Sequence, residues 1–208
     1  MVVFYRRMPR FEYVKPDKLE DVLELLDGSG ESQVRLFAGG TDLMAQLKAR
    51  EIEAPGTVVD LKGIEVLGGL DYDEKDGLRL GATVSVTQVA ASPIIAEKYP
   101  ALAEGAREIA SIQIQNRATI TGNICNAVSS ADSAPPLLAL DAKLVLAKRG
   151  GERQVDLAYF FTGPGRTQLA GDELVREIRL PPPPKGAAST YLKLAPRGRM
   201  DLAWVGLA

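Results

Sequence analysis

The chain has 208 residues, 25 Lys and Arg against 27 Asp and Glu (net charge -2) and 46% hydrophobic residues. That suits one globular domain or two small ones with a sizeable core, and offers no basic footprint for nucleic acid. The absence of His excludes histidine triads and imidazole bases, and the single Cys125 excludes an iron–sulfur cluster, a structural zinc or an internal disulfide.

No run approaches the ~20 apolar residues of a membrane helix, and no apolar stretch follows Arg6-Arg7 to make a signal peptide, so a reduced cytoplasmic setting is expected. In chain order, residues 11–14 read as a strand. Asp17 then opens a helix, with Glu20 at capping-box spacing, Leu19, Val22, Leu23 and Leu26 on one face, and Gly28-Ser29-Gly30 ending it. Residues 34–38 form a strand that runs into Gly39-Gly40, and a helix from Thr41 presents Leu43, Met44 and Leu47. Residues 57–61 are a buried strand, so the opening third is β-α-β-α-β, a layered α/β unit. A second subdomain begins near Lys62-Gly63. A hairpin around Asp76-Gly77 joins residues 66–72 to 78–81, and helices are expected over about residues 85–91, 94–98 and 101–110. Residues 118–126, rich in Thr, Gly and Asn, read as a polar loop. Residues 132–140 read as a helix with Pro135 and Pro136 in its first turn and Asp132 or Ser133 as its cap. A hairpin crosses Gly150-Gly151, residues 174–180 are a further strand, and residues 181–184 are a stiff proline linker. Residues 190–194 and 202–207 read as apolar strands, with Trp204 as a core side chain.

Two segments could carry chemistry. Ala38-Gly39-Gly40-Thr41-Asp42-Leu43 lies between strand and helix, where unpaired N–H groups and the helix dipole favour an anion. The glycines admit close backbone approach and Thr41 adds a hydroxyl, although a plain strand-to-helix turn has the same residues. Thr119-Ile120-Thr121-Gly122-Asn123, with Asn126, Ser129, Ser130 and Asp132 behind it, suits a polar ligand, Asp132 accepting from a ribose-like hydroxyl; a polar surface loop is the equal alternative. Neither segment contains Lys or Arg, so together they favour a diphosphate held by backbone donors. Gly163-Pro164-Gly165-Arg166 reads as a surface turn, Asp71, Asp73, Glu74 and Asp76 as a solvated acidic hairpin tip, and Cys125 as an inert thiol.

These two motifs, the second within Gln113-Ile114-Gln115-Asn116-Arg117-Ala118-Thr119-Ile120-Thr121-Gly122-Asn123, resemble the FAD-binding medium subunits of molybdenum hydroxylases, the xanthine dehydrogenase and carbon monoxide dehydrogenase family. The likeness continues through Asp132, residues 137–146 and 174–181, and Tyr191-Leu192-Lys193, nearly the whole chain. It implies an α/β (α+β) chain with the two-subdomain FAD-binding fold of the vanillyl-alcohol oxidase (PCMH) type: subdomain 1 over residues 1–62, subdomain 2 over 63–184, and 185–208 as the truncated start of a C-terminal domain. Carried over to this sequence, Arg35, Leu36, Phe37, Ala38, Gly39, Gly40, Thr41 and Asp42 form the first FAD loop. Thr119, Ile120, Thr121, Gly122 and Asn123 form the second. Asp132 binds the adenosine side, and Ile109, Val175 and Lys193 contact adenine or flavin. The FAD is expected to be non-covalent, and no catalytic acid–base residue or metal ligand is expected in this chain. Two departures stand out: Thr121 occupies a position where the family has Gly, and Gln115 one where Arg is common. The resemblance implies an electron-transfer subunit. An iron–sulfur subunit would pass it electrons from a molybdopterin subunit, and FAD would hand them to an acceptor such as NAD, in a dimer of three-subunit units. Two rival readings are a free-standing flavin oxidoreductase of this fold and a nucleotide-binding structural subunit without electron transfer.

Overall fold

The structure is a computed structural model that describes residues 7–30, 33–197 and 200–208. Its first layer runs β1 (Glu12–Val14), α1 (Leu19–Asp27), β2 (Val34–Phe37), α2 (Thr41–Ala49) and β3 (Thr57–Asp60). The strands form a parallel sheet in the order β1-β3-β2. Parallel neighbours need crossovers, and α1 and α2 supply helices to them. The α1 face with Val22 and Leu26 is buried, and Glu20 and Asp21 in its first turn suit the positive end of the helix dipole. The helix begins one turn position later than expected: Lys18 is its cap, no side chain caps it, and the Asp17–Glu20 capping box does not form.

The larger unit begins with a 3-10 turn at Glu65–Leu67. It comprises β4 (Leu70–Asp73), β5 (Gly77–Gly81), α3 (Val86–Ala91), α4 (Pro93–Lys98), α5 (Pro100–Glu108), α6 (Ile112–Gln115), α7 (Ile120–Asn126), α8 (Ala134–Ala139), β6 (Lys143–Lys148), β7 (Gly151–Asp156), α9 (Leu157–Phe160), β8 (Phe161–Gly163), β9 (Arg166–Thr167) and β10 (Leu174–Leu180). Five strands form an antiparallel sheet in the order β4-β5-β10-β6-β7, with β10 at its centre. Helices α3, α5, α7 and α8 bury Val86, Leu102, Ile120, Ile124 and Leu137 against Leu78, Leu80, Leu144 and Ile178 of that sheet. Residues 118–126, expected as a loop, are thus a capped helix. Thr119 Oγ1 accepts from Gly122 N at 2.9 Å, and Ile120 and Ile124, four apart, reach the core. The cap of α8 is Ser133, whose hydroxyl makes no cap bond.

A second core joins the two units. Val22, Leu26, Val59 and Leu61 of the first layer pack with Leu67, Ala82 and Leu174 of the larger one. The proline segment is tied down as well, because Pro181 O accepts from the Tyr99 hydroxyl at 2.9 Å. Beyond it, β11 (Leu192–Leu194) and β12 (Val205–Leu207) form a two-stranded sheet. Trp204, expected in a core, is 73% exposed, and Leu192, Leu194, Leu202 and Leu207 are exposed with it. Two strands alone have no layer in which to bury such side chains.

Candidate functional site

A cavity of about 1020 Å³ opens between the first layer and the larger unit. Both motifs line it. Strand β2 delivers the first: after Phe37 the chain turns through Ala38-Gly39-Gly40 into α2. Gly40 is left-handed (φ 73°, ψ 6°), and no side chain caps the helix. Its first N–H groups therefore have no intrahelical or side-chain cap partner. A Cβ on Gly40 would lie 2.0 Å from Cε2 of the Phe37 ring. Gly39 has a different task. A Cβ there would overlap the Arg117 carbonyl oxygen and lie 2.7 Å from Ala118 Cα, so the two motifs touch backbone to backbone at this glycine.

The second motif is fixed from behind. Gln115, buried, donates through Nε2 to the carbonyls of Ile109 (2.7 Å) and Arg107 (3.1 Å). It holds the bend where Ala110 takes a positive φ of 44°. Asn123 Oδ1 accepts from Ser133 Oγ at 2.6 Å, linking α7 to α8. Thr121, 6% exposed, lines the cavity, and its hydroxyl has no hydrogen-bond partner. An orphaned buried hydroxyl costs free energy until it is paired. At the rim, loss of surrounding water raises the Asp42 carboxyl above the usual carboxylate range. Burial pushes the Cys125 thiol up to about 12, which makes it a poor nucleophile near neutral pH.

Of the residues singled out in the sequence, Arg35, Leu36, Ala38, Gly39, Gly40, Thr41, Asp42, Ile109, Thr119, Thr121, Gly122, Asn123, Asp132 and Val175 line this one cavity. Phe37, Ile120 and Lys193 do not. Phe37 packs on Gly40, and Ile120 is in the core. Lys193 Nζ is engaged by Asp132 Oδ2 at 2.9 Å and the Glu108 carbonyl at 3.3 Å. The other oxygen of Asp132 accepts from the Tyr191 hydroxyl at 2.7 Å. Burial, and then this carboxylate, raise the Tyr191 pKa. Asp132 thus accepts from β11 and from the residue before it, and it lines the cavity as well. Sequence reasoning missed Ala110, Ala131, Gly165 and Arg166 on the cavity wall. The turn at Gly165 is exposed, as expected of a surface turn, and its N–H donates to the Ala127 carbonyl at 2.9 Å. Among the described residues no cluster of three or more acidic or Cys side chains could hold a metal.

The wide, mixed polar and apolar cavity, uncapped helix start and unpaired Thr121 hydroxyl fit a large ligand rich in acceptor oxygens, as a dinucleotide is. Comparisons with known proteins point the same way. The family model for the FAD binding domain in molybdopterin dehydrogenase matches residues 9–183. The xanthine dehydrogenase FAD-binding subunit of Escherichia coli O157:H7 is 38% identical over 197 residues, 94% of this chain and 66% of that subunit. The nicotinate dehydrogenase FAD-subunit of Eubacterium barkeri is 33% identical, over 96% of this chain and 68% of its own. A solved structure, carbon monoxide dehydrogenase from Hydrogenophaga pseudoflava lacking the Mo-pyranopterin moiety of the molybdenum cofactor, matches with a TM-score of 0.90 at 34% identity, over 96% of this chain and 68% of that one. The chain thus spans about two thirds of the length of these relatives. No helix among the described residues is long and apolar enough to cross a membrane.

Proposed function

Because the chain belongs to the family of FAD-binding domains of molybdopterin dehydrogenases, we propose that it carries non-covalent FAD as the electron-transfer part of a molybdenum hydroxylase. The observation that carries this reading is the convergence of both motifs on one cavity with an unpaired hydroxyl in its wall. FAD, when bound, supplies the redox chemistry; this chain supplies binding, orientation and electrostatics. Gly39, Gly40 and Thr41 would offer backbone N–H groups to the pyrophosphate. Thr121 and Asn123 would stand on the facing wall, and Ile109 and Val175 would give the apolar flank that keeps water from the ring system. With no His the chain offers no imidazole base, and its one thiol is held protonated. The molybdopterin and iron–sulfur centres belong to partner subunits in this reading. An iron–sulfur subunit delivers the electrons, and NAD is the acceptor we favour.

The test is direct. FAD titrated with the purified chain should lose fluorescence in a saturable way. The bound flavin should be reduced only when iron–sulfur and molybdopterin subunits are present with an oxidisable substrate. Unchanged FAD fluorescence sinks the cofactor reading, and substrate-dependent reduction by the isolated chain makes it a free-standing oxidoreductase instead.

A further inference from the structure

The first motif contains Gly-Gly and no cation, yet a lysine just beyond a neighbouring strand grips it. Lys62 follows β3, and its Nζ donates to the Ala38 carbonyl at 3.2 Å. The same ammonium pairs with Asp60 Oδ1 at 2.7 Å and lies 3.8 Å from the centroid of the Phe37 ring. Asp60 is itself fixed: 3% exposed, it accepts from Lys62 N at 2.9 Å and from the Tyr13 hydroxyl. Burial alone would favour a neutral Asp60; these partners outweigh it and hold the carboxyl below the usual range. The contacts span all three strands of the first layer, from Tyr13 on β1 through Asp60 on β3 to Phe37 on β2. Lys62 is not on the cavity wall. It touches the residues that shape the wall, because the Phe37 ring fills the space a Cβ of Gly40 would need and Ala38 leads into Gly39.

We propose that Lys62, held by Asp60 and Tyr13, is a positioning residue: it clamps the Ala38 carbonyl and the Phe37 ring so that the Gly39-Gly40 turn presents its N–H groups to a pyrophosphate in one fixed orientation. This rests on the FAD reading above. A cation over an aromatic face and a charge-assisted bond to a carbonyl together restrict the turn more than either does alone. The lysine acts through geometry, since its charge is already matched by Asp60.

The full chain is tested as wild type, Lys62→Met, Lys62→Arg and Tyr13→Phe. Lys62→Met keeps the apolar stem and should weaken FAD binding about tenfold, the size of a lost charge-assisted bond. Lys62→Arg can still stack on Phe37 and pair with Asp60, so it should stay within about threefold of wild type. The wild-type to Lys62→Met ratio should hold between roughly 50 and 500 mM salt, where long-range attraction would be screened away. Phosphorus NMR of bound FAD should shift in Lys62→Met and return in Lys62→Arg, and the free Lys62→Met chain, its buried Asp60 left without the ammonium, should melt below wild type. If Lys62→Met fails to fold, Tyr13→Phe decides: loosening Asp60 should cost about threefold in affinity. Wild-type affinity in the folded Lys62→Met chain, or in Tyr13→Phe where Lys62→Met does not fold, or a ratio that collapses in salt, overturns the clamp and leaves the FAD reading standing. A wild-type chain that does not bind FAD overturns both.

Discussion

A methyl group added at Gly39 would overlap the Arg117 carbonyl oxygen, and no flexible side chain is there to give way. Gly39→Ala should therefore cost about 1–3 kcal/mol of stability, the usual range for overpacking, and lower FAD affinity because both motifs move. Urea unfolding of the free chain alongside FAD titration measures the two effects; wild-type stability would place the contact elsewhere. Thr121→Val separates folding from binding. Replacing an unpaired buried hydroxyl by a methyl should stabilise the free chain by about 1 kcal/mol, yet weaken FAD about tenfold if the ligand is the missing partner. Thermal melts with and without FAD should cross over. At this scale the sequence was legible where a local motif carries its own geometry, as in Gly39-Gly40, and silent where a partner lies far along the chain. Asp132 was visible as a polar residue near a ligand loop. Its occupation by Tyr191 and Lys193, some sixty residues on, was not.

Local patterns competed at the level of elements. Asp17-Lys18-Leu19-Glu20 has capping-box spacing and forms no box. Ser85-Val86-Thr87-Gln88 forms one, with Ser85 Oγ accepting from Gln88 N at 3.2 Å and Gln88 Oε1 accepting from Ser85 N at 2.8 Å. Ser85→Ala should cost about 1 kcal/mol, read from denaturant midpoints; no loss would mean that tertiary packing alone holds α3. The α7 segment failed as a sequence reading for the converse reason. Thr, Gly and Asn are poor helix formers, and their composition outweighed the one signal that mattered, Ile120 and Ile124 on the core face. Strand alternation in the tail was readable, but alternation does not say whether a covering layer exists, so Trp204 was misplaced.

Across the whole molecule, a buried seam joins the two units, and the larger unit carries an acid-sensitive ion pair of its own. Leu67 is fully buried where the first layer meets the larger unit. Leu67→Ala should cost about 2–5 kcal/mol and shift a single cooperative transition; two separate transitions would show that the units unfold independently. In that ion pair Glu173 accepts from Arg153 Nε at 2.6 Å and Nη2 at 2.7 Å and from Ala170 N at 3.0 Å. The Arg153 guanidinium holds this carboxyl below its ordinary 4.5. A depressed folded-state pKa contributes stability that is complete above the unfolded value and is lost as pH falls through the folded one. Melting temperature should therefore drop below about pH 4.5, and Glu173→Gln should flatten that acid limb. An acid limb identical in Glu173→Gln would remove the carboxylate from the account.

The seam also sets a timetable for synthesis. Strands β1, β2 and β3 and both their helices are complete by Asp60, but the wall that shuts their core includes Ala82 and, more than a hundred residues downstream, Leu174 on the central strand β10. On a ribosome adding roughly 5–20 residues per second, the newborn first layer waits several seconds with Val22, Leu26 and Val59 facing water. Closure of that core therefore lags its synthesis, and chaperones that recognise short apolar stretches should engage nascent chains arrested between about residues 60 and 170 and release them once β10 has emerged.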